Sequence, residues 1–157
     1  MIGVVLIAAL AVACVGGLVR WSRLTAGSKR TIEAPAGKLE DLFRGGVMGR
    51  HILTSGTLVR LECYDWGIRL RGTAISNWVV PTWEATYDEL AIARLVAMPS
   101  SRITVWFRLR GARPDDDAAA IGFLSDHSSQ IIRLLEKHQV PTDRHVTQIR
   151  QVKELYA

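Results

Sequence analysis

The sequence predicts an α+β protein: an N-terminal transmembrane helix followed by an antiparallel β-sandwich or barrel that a C-terminal helix caps. Three observations lead there. Ile2 to Val19 is an unbroken apolar run, apolar and polar residues alternate with period two between Leu58 and Arg110, and after Ser125 the apolar spacing becomes helical. With 157 residues and 48% hydrophobic content, the chain can supply one anchor and one domain of about a hundred residues with its own core.

The anchor comes first. Ile2 to Val19 holds no charged residue, no strongly polar residue and no proline. At about 1.5 Å per residue a helix over it measures roughly 27 Å, close to the roughly 30 Å hydrocarbon core of a bilayer. Trp21 then falls at the interface, and Arg20, Arg23, Lys29 and Arg30 follow the apolar run, while only the α-amino group precedes it. Positive charge stays inside, so the expectation is a single-pass inner-membrane protein with its amino terminus outside and everything after Val19 in the cytoplasm. A cleaved signal peptide needs a basic segment before its apolar core, and this core starts at Ile2. Ala11-Val12-Ala13-Cys14 lacks the Leu and the basic lead of a lipoprotein box, so Cys14 reads as a small hydrophobe within the helix. Ala9, Ala13 and Gly17 recur at four-residue spacing, a small-residue ridge that lets a second helix approach closely; these three are candidate partner contacts.

Charge and cysteine usage narrow the surroundings. The net charge of +5 and pI of 9.7 come mostly from Arg, because Lys occurs only at 29, 38, 137 and 153. Arg-heavy, Ala- and Gly-rich usage fits a high-GC bacterial genome, and the basic balance favours an anionic neighbour. With the anchor in place that neighbour is the inner leaflet, and the chain carries no recognisable nucleic-acid motif. Cys14 and Cys63 fall in different units and form neither a disulfide framework nor a CxxC, as in a reducing compartment.

Residues 22 to 52 show no long period. Pro35 opens a short helical turn in which Leu39, Leu42 and Phe43 share a face, and Gly45, Gly46 and Gly49 end it; the stretch reads as a juxtamembrane linker. The glycines lack the Lys-Ser/Thr of a phosphate loop. From Leu58 to Tyr64, Val59, Leu61 and Cys63 face one way and Arg60 and Glu62 the other; after Asp65-Trp66-Gly67, Ile68 and Leu70 oppose Arg69 and Arg71. That is a hairpin turning at Gly67. Trp78 to Val80 with Trp83 to Thr86 reads as a third strand broken around Pro81, and Ala91 to Ala97 as a fourth. Met98 to Ser101 turns the chain into Arg102 to Arg110, the clearest strand, with Trp106 on its polar face as a candidate protein contact. Gly111 to Asp117 is a loop and Ala119 to Phe123 a last strand. Ser125 or Asp126 then caps a helix with an apolar stripe of Ile131, Leu134, Leu135 and His138, which Pro141 stops. Val146, Ile149, Val152 and Leu155 suggest a second amphipathic helix in the tail, 141 to 157.

A twisted antiparallel sheet of about seven short strands closed by one carboxy-terminal helix resembles the pleckstrin-homology-like (PH-like) architecture. The Tyr64-Asp65-Trp66-Gly67-Ile68 hairpin, Thr86-Tyr87-Asp88-Glu89-Leu90 before the fourth strand, and the helix ending at Gln139-Val140-Pro141 are similar in order to its bacterial versions, which commonly carry an amino-terminal anchor. The resemblance covers about residues 53 to 140. It implies a possible ligand: in lipid-binding members a basic residue on the first strand and a basic-x-basic pair on the second hold inositol phosphates. Arg60 and Arg69-Leu70-Arg71 are similar in layout, although Arg stands for the usual Lys and Glu62 shares the face of Arg60.

The sequence-level division is therefore a transmembrane helix (1–21), a linker (22–52), a PH-like domain (53–140) and an amphipathic tail (141–157). The four histidines and Cys63 show no metal-ligand spacing and no nucleophile setting, and Asp115-Asp116-Asp117 lacks the spaced ligands of a calcium loop. The expected role is a non-enzymatic, membrane-anchored binding or scaffolding module, without cofactor or metal, for a membrane-protein or envelope partner. The alternative is an anionic phospholipid reader using Arg60, Arg69 and Arg71.

Overall fold

The computed structural model describes residues 29–54, 56–73, 76, 80–97 and 102–156. The anchor, its ridge of Ala9, Ala13 and Gly17, Trp78 and the turn Met98 to Ser101 lie outside these residues. Among the described residues no helix is long and apolar enough to cross a membrane.

Eight strands form one continuous sheet: β1 (Leu39–Met48), β2 (Val59–Tyr64), β3 (Gly67–Gly72), β4 (Trp83–Thr86), β5 (Leu90–Ala97), β6 (Thr104–Leu109), β7 (Ala120–Leu124) and β8 (Thr142–Gln148). Their order is β4-β3-β2-β1-β7-β6-β5-β8, and α1 (Ser128–Lys137) lies between β7 and β8 in the chain. Two antiparallel meanders, β1 to β4 and β5 to β7, joined through β1 and closed by a following helix, make the PH-like arrangement.

β1 occupies the stretch expected as linker and helical turn. Leu39, Leu42 and Phe43 mimic a helical face, but two central glycines cost a helix about 1 kcal/mol each, and the strand has an extended use for them. Leu39 to Gly45 pair with β2, and Gly46 to Met48 pair with β7, so one strand serves both halves. A Cβ at Gly45 would collide with the Leu124 carbonyl and the Phe123 ring, which is how closely the strands approach at this corner. The domain thus begins well before residue 53.

The core lies between the halves. Phe43, Leu61, Leu70, Trp83, Phe107, Phe123 and Ile121 fill it from the strands, and Ile131, Ile132 and Leu135 of α1 close one end. Each such side chain contributes about 1.5–3 kcal/mol on leaving water. Trp83 keeps its polar atom satisfied, its Nε1 donating to the Ala118 carbonyl at 2.9 Å. The helix starts behind His127, whose N–H donates to Ser125 Oγ at 3.2 Å, so of the two expected caps Ser125 takes part.

At its other end α1 closes with Gln139 in the left-handed region, φ 62°. The Gln139 N–H donates to the Glu136 carbonyl (2.9 Å) and the Val140 N–H to that of Leu135 (3.0 Å), a Schellman pattern that glycine normally serves. Gln139→Gly removes the Cβ penalty and should raise stability by about 1 kcal/mol, read as a higher denaturant midpoint. A lower midpoint would contradict the turn.

The tail is not a helix. Thr142 to Gln148 run parallel to β5 and cover its open edge, beginning where the Ala93 N–H donates to the Pro141 carbonyl at 2.8 Å. Val152 to Leu155 form a 3₁₀ turn, which the three-residue spacing of Ile149, Val152 and Leu155 suits better than an α-helix. Ile149, Leu155 and Tyr156 then seal a second apolar cluster on the outside of β5 to β7, with Met48, Val96, Trp106, Ala120 and Leu124.

Candidate anion-binding face

The strand alternation that buries Leu61 and Leu70 turns Arg60, Glu62 and Tyr64 of β2, and Arg69 and Arg71 of β3, onto the outer face of the first half. β1 adds Arg44 and β4 adds Glu84. The register sets Arg44 opposite Arg60 and Arg60 opposite Arg71, a row of three guanidiniums across three strands. Like charges directly opposite each other destabilise a sheet.

The two carboxylates do not neutralise this row evenly. Arg69 is drawn away from it: its Nε meets Glu84 Oε1 at 2.5 Å, and its Nη1 lies 3.9 Å from Glu62 Oε2. Burial, the largest single influence, works against the charge of Arg69, and the Glu84 hydrogen bond together with the charges of Glu84, Tyr64 and Glu62 outweighs it and raises the pKa. Arg71 binds Glu62 Oε1 through Nε (2.7 Å) and Nη2 (2.6 Å), while 44% of its side chain remains exposed. Glu62 and Glu84 are only 3% and 7% exposed, so their arginine partners are structural requirements. Tyr64 donates to Glu62 Oε2 at 2.9 Å; burial first, and that bond second, raise its pKa. Arg44 and Arg60 have no carboxylate partner among the described residues, and Arg60 Nε is buried without an acceptor. Two carboxylates against four guanidiniums leave the face two positive charges in excess. Arg44 also borders a groove of about 410 Å³ between β1 and the start of α1, where Arg102 pairs with Asp126.

The arrangement revises the sequence reading at three points. Arg60 lies on the second strand and Arg69 and Arg71 on the third, because β1 precedes them, so the layout taken from the resemblance is displaced by one strand. Arg69 is paired with Glu84, and Arg44 stands in the row opposite Arg60. Arg44 was missed because the glycine pair beside it hid the alternation of Leu42 and Arg44 against Phe43 and Gly45.

Trp106 is the third revision. It sits on the outer face as expected, but Tyr156 covers it edge-on at 5.3 Å and it is 0% exposed, which removes it as a surface contact. Tyr156 is fixed by donating to the Ala120 carbonyl (2.9 Å), by accepting the Arg50 N–H (3.0 Å), and by the Arg50 guanidinium 4.5 Å above its ring.

Several ionisable groups away from this face have structural partners, whereas Arg94 Nε, like Arg60 Nε, is buried without an acceptor. Asp117 meets Arg50 and His51 at 3.2 and 3.3 Å, and Glu40 meets His138 and Lys137 at 2.6 and 3.1 Å. Burial pushes the Cys63 thiol up to about 12. Among the described residues no group of three or more His, Cys, Asp or Glu could hold a metal ion.

No family model matches the sequence, and no curated protein does. Among solved structures the chain is similar to the Vps36 N-terminal PH domain, with 13% identity and a TM-score of 0.48 over 73% of this chain and 91% of that one. The fold assignment rests on the strand order described above.

Proposed function

We propose that this chain is a non-catalytic, membrane-tethered binding module that presents its PH-like domain at the cytoplasmic face of the inner membrane and docks there on an anionic lipid surface. The observation that carries the reading is the row Arg44, Arg60 and Arg71, three guanidiniums in register on the outer sheet face, of which only Arg71 pairs with a carboxylate, Glu62, among the described residues. A protein partner, the first expectation, would be met best by an apolar or aromatic anchor at the surface, and Trp106, the candidate for that part, is enclosed by the tail. Lipid phosphates suit the face better: each basic side chain near an anionic leaflet contributes about 1 kcal/mol, and a tether makes such weak contacts sufficient.

The test is vesicle co-sedimentation. The core residues fall within 43–156, so a fragment of residues 29–157 retains them. It should pellet with phosphatidylglycerol-containing vesicles and not with pure phosphatidylcholine, and added salt should release it because exposed charges are screened over about 8 Å at physiological ionic strength. Equal pelleting with both lipids, or with neither, would overturn the reading.

A further inference from the structure

Arg30 is locked to the edge of the first half of the fold. It bridges Trp83 in parallel register: its N–H donates to the Thr82 carbonyl at 3.0 Å, and its carbonyl accepts the Glu84 N–H at 2.9 Å. Its guanidinium spans two further acceptors, the Glu84 carbonyl through Nη1 (2.9 Å) and Glu89 Oε1 through Nη2 (2.5 Å). The next turn of chain is held as well, the Ile32 N–H donating to Glu84 Oε2 at 2.9 Å, and the other oxygen of Glu89 accepts the Thr86 N–H at 2.9 Å. The chain is therefore fastened to β4 long before it reaches β1.

That fastening changes the reach of the tether. Ten residues, Arg20 to Lys29, separate the apolar run from the clamp, in place of the thirty expected from a linker ending at residue 52. Ten residues extend to about 35 Å at most. Strands lie about 4.8 Å apart, so β3, β2 and β1 stand roughly 5, 10 and 15 Å from the β4 line, and Arg71, Arg60 and Arg44 lie within that reach of the tether point. The outer side of β5 to β7, under its tail, is the opposite side of the two-layer fold.

We infer that the Arg30 clamp sets the orientation of the domain on the membrane: the β4 edge and the arginine-bearing outer face of β1 to β3 turn toward an anionic leaflet, and the tail-covered side turns away. The occupant of this face is the leaflet in which the chain's own amino-terminal segment is anchored. The inference rests on the tethered, anionic-surface reading and adds to it a direction and a positioning residue, Arg30.

The test uses the full chain, with Cys14→Ser, in phosphatidylglycerol-containing vesicles. One variant carries Leu42→Cys on the arginine face, and another carries Gln151→Cys on the tail; each is labelled with a fluorophore quenched by headgroup-labelled lipid. Buried Cys63 stays unlabelled in the folded chain. The Leu42 label should be quenched severalfold more than the Gln151 label, and Arg30→Ala, which releases the clamp, should narrow the difference while the thermal unfolding midpoint of the core stays within a few degrees. Equal quenching, or stronger quenching at Gln151, in a chain that resists alkaline extraction overturns the orientation alone. Release of the chain by alkaline carbonate overturns the tether and the orientation together.

Discussion

Deleting residues 149–157 should destabilise the domain by about 3 kcal/mol. Ile149, Leu155 and Tyr156 are buried against Met48, Val96, Trp106 and Leu124, and each gives about 1.5–3 kcal/mol in leaving water. The conformational entropy lost in ordering the tail offsets part of that gain. What remains is the exposure of Trp106 and its neighbours, together with loss of the Tyr156 hydrogen bonds to Ala120 and Arg50. The deletion should lower the denaturant midpoint and raise the binding of a hydrophobic dye. An unchanged midpoint would show that the tail is not part of the domain.

The tail also shows how far the sequence could be read. β2 and β3 were legible because each buries one face and turns polar side chains to the other, and β6 because polar Thr104 and Arg108 alternate with Val105, Phe107 and Leu109, although Thr104 and Trp106 are buried as well. β8 hides from that test. Most of its side chains are exposed on both faces, and it exists because β5 offers its open edge in backbone hydrogen bonds, which leave no pattern in side-chain polarity. β1 is hidden differently: its two ends pair in different halves of the fold, and the glycines that make the corner look like a helix stop. The helical stripe of α1 was legible through Ile131 and Leu135.

The candidate face was legible in part. Alternation placed Arg60, Arg69 and Arg71 together correctly, since that is a local property of two adjacent strands. Which arginine would be consumed by a carboxylate depends on Glu84, on a strand that reaches Arg69 only through pairing of β3 with β4. Arg44 likewise joins the row through the register of β1 on β2. For Trp106 the alternation gave the right face, but whether an outward face meets water is decided by a tail more than forty residues further along.

The three arginines carry the central claim, and their combined substitution has the largest expected effect on binding. At about 1 kcal/mol for each basic residue near an anionic leaflet, Arg44→Gln with Arg60→Gln and Arg71→Gln should remove about 3 kcal/mol, roughly a hundredfold in partition. Neutralising Arg44 and Arg60 relieves like-charge repulsion within the row, so the fold should tolerate both; Arg71→Gln costs buried Glu62 one partner and leaves it Tyr64 and Arg69, so the partition of the triple variant is read on its folded fraction. Arg69→Gln should act otherwise: it strips Glu84 of its partner and lowers stability, with little effect on vesicle affinity in the fraction that remains folded. The deciding measurement is the partition of residues 29–157 onto phosphatidylglycerol-containing vesicles, wild type against the triple variant. A hundredfold loss supports the arginine row as the membrane-docking face; a triple variant that binds as tightly as wild type contradicts it.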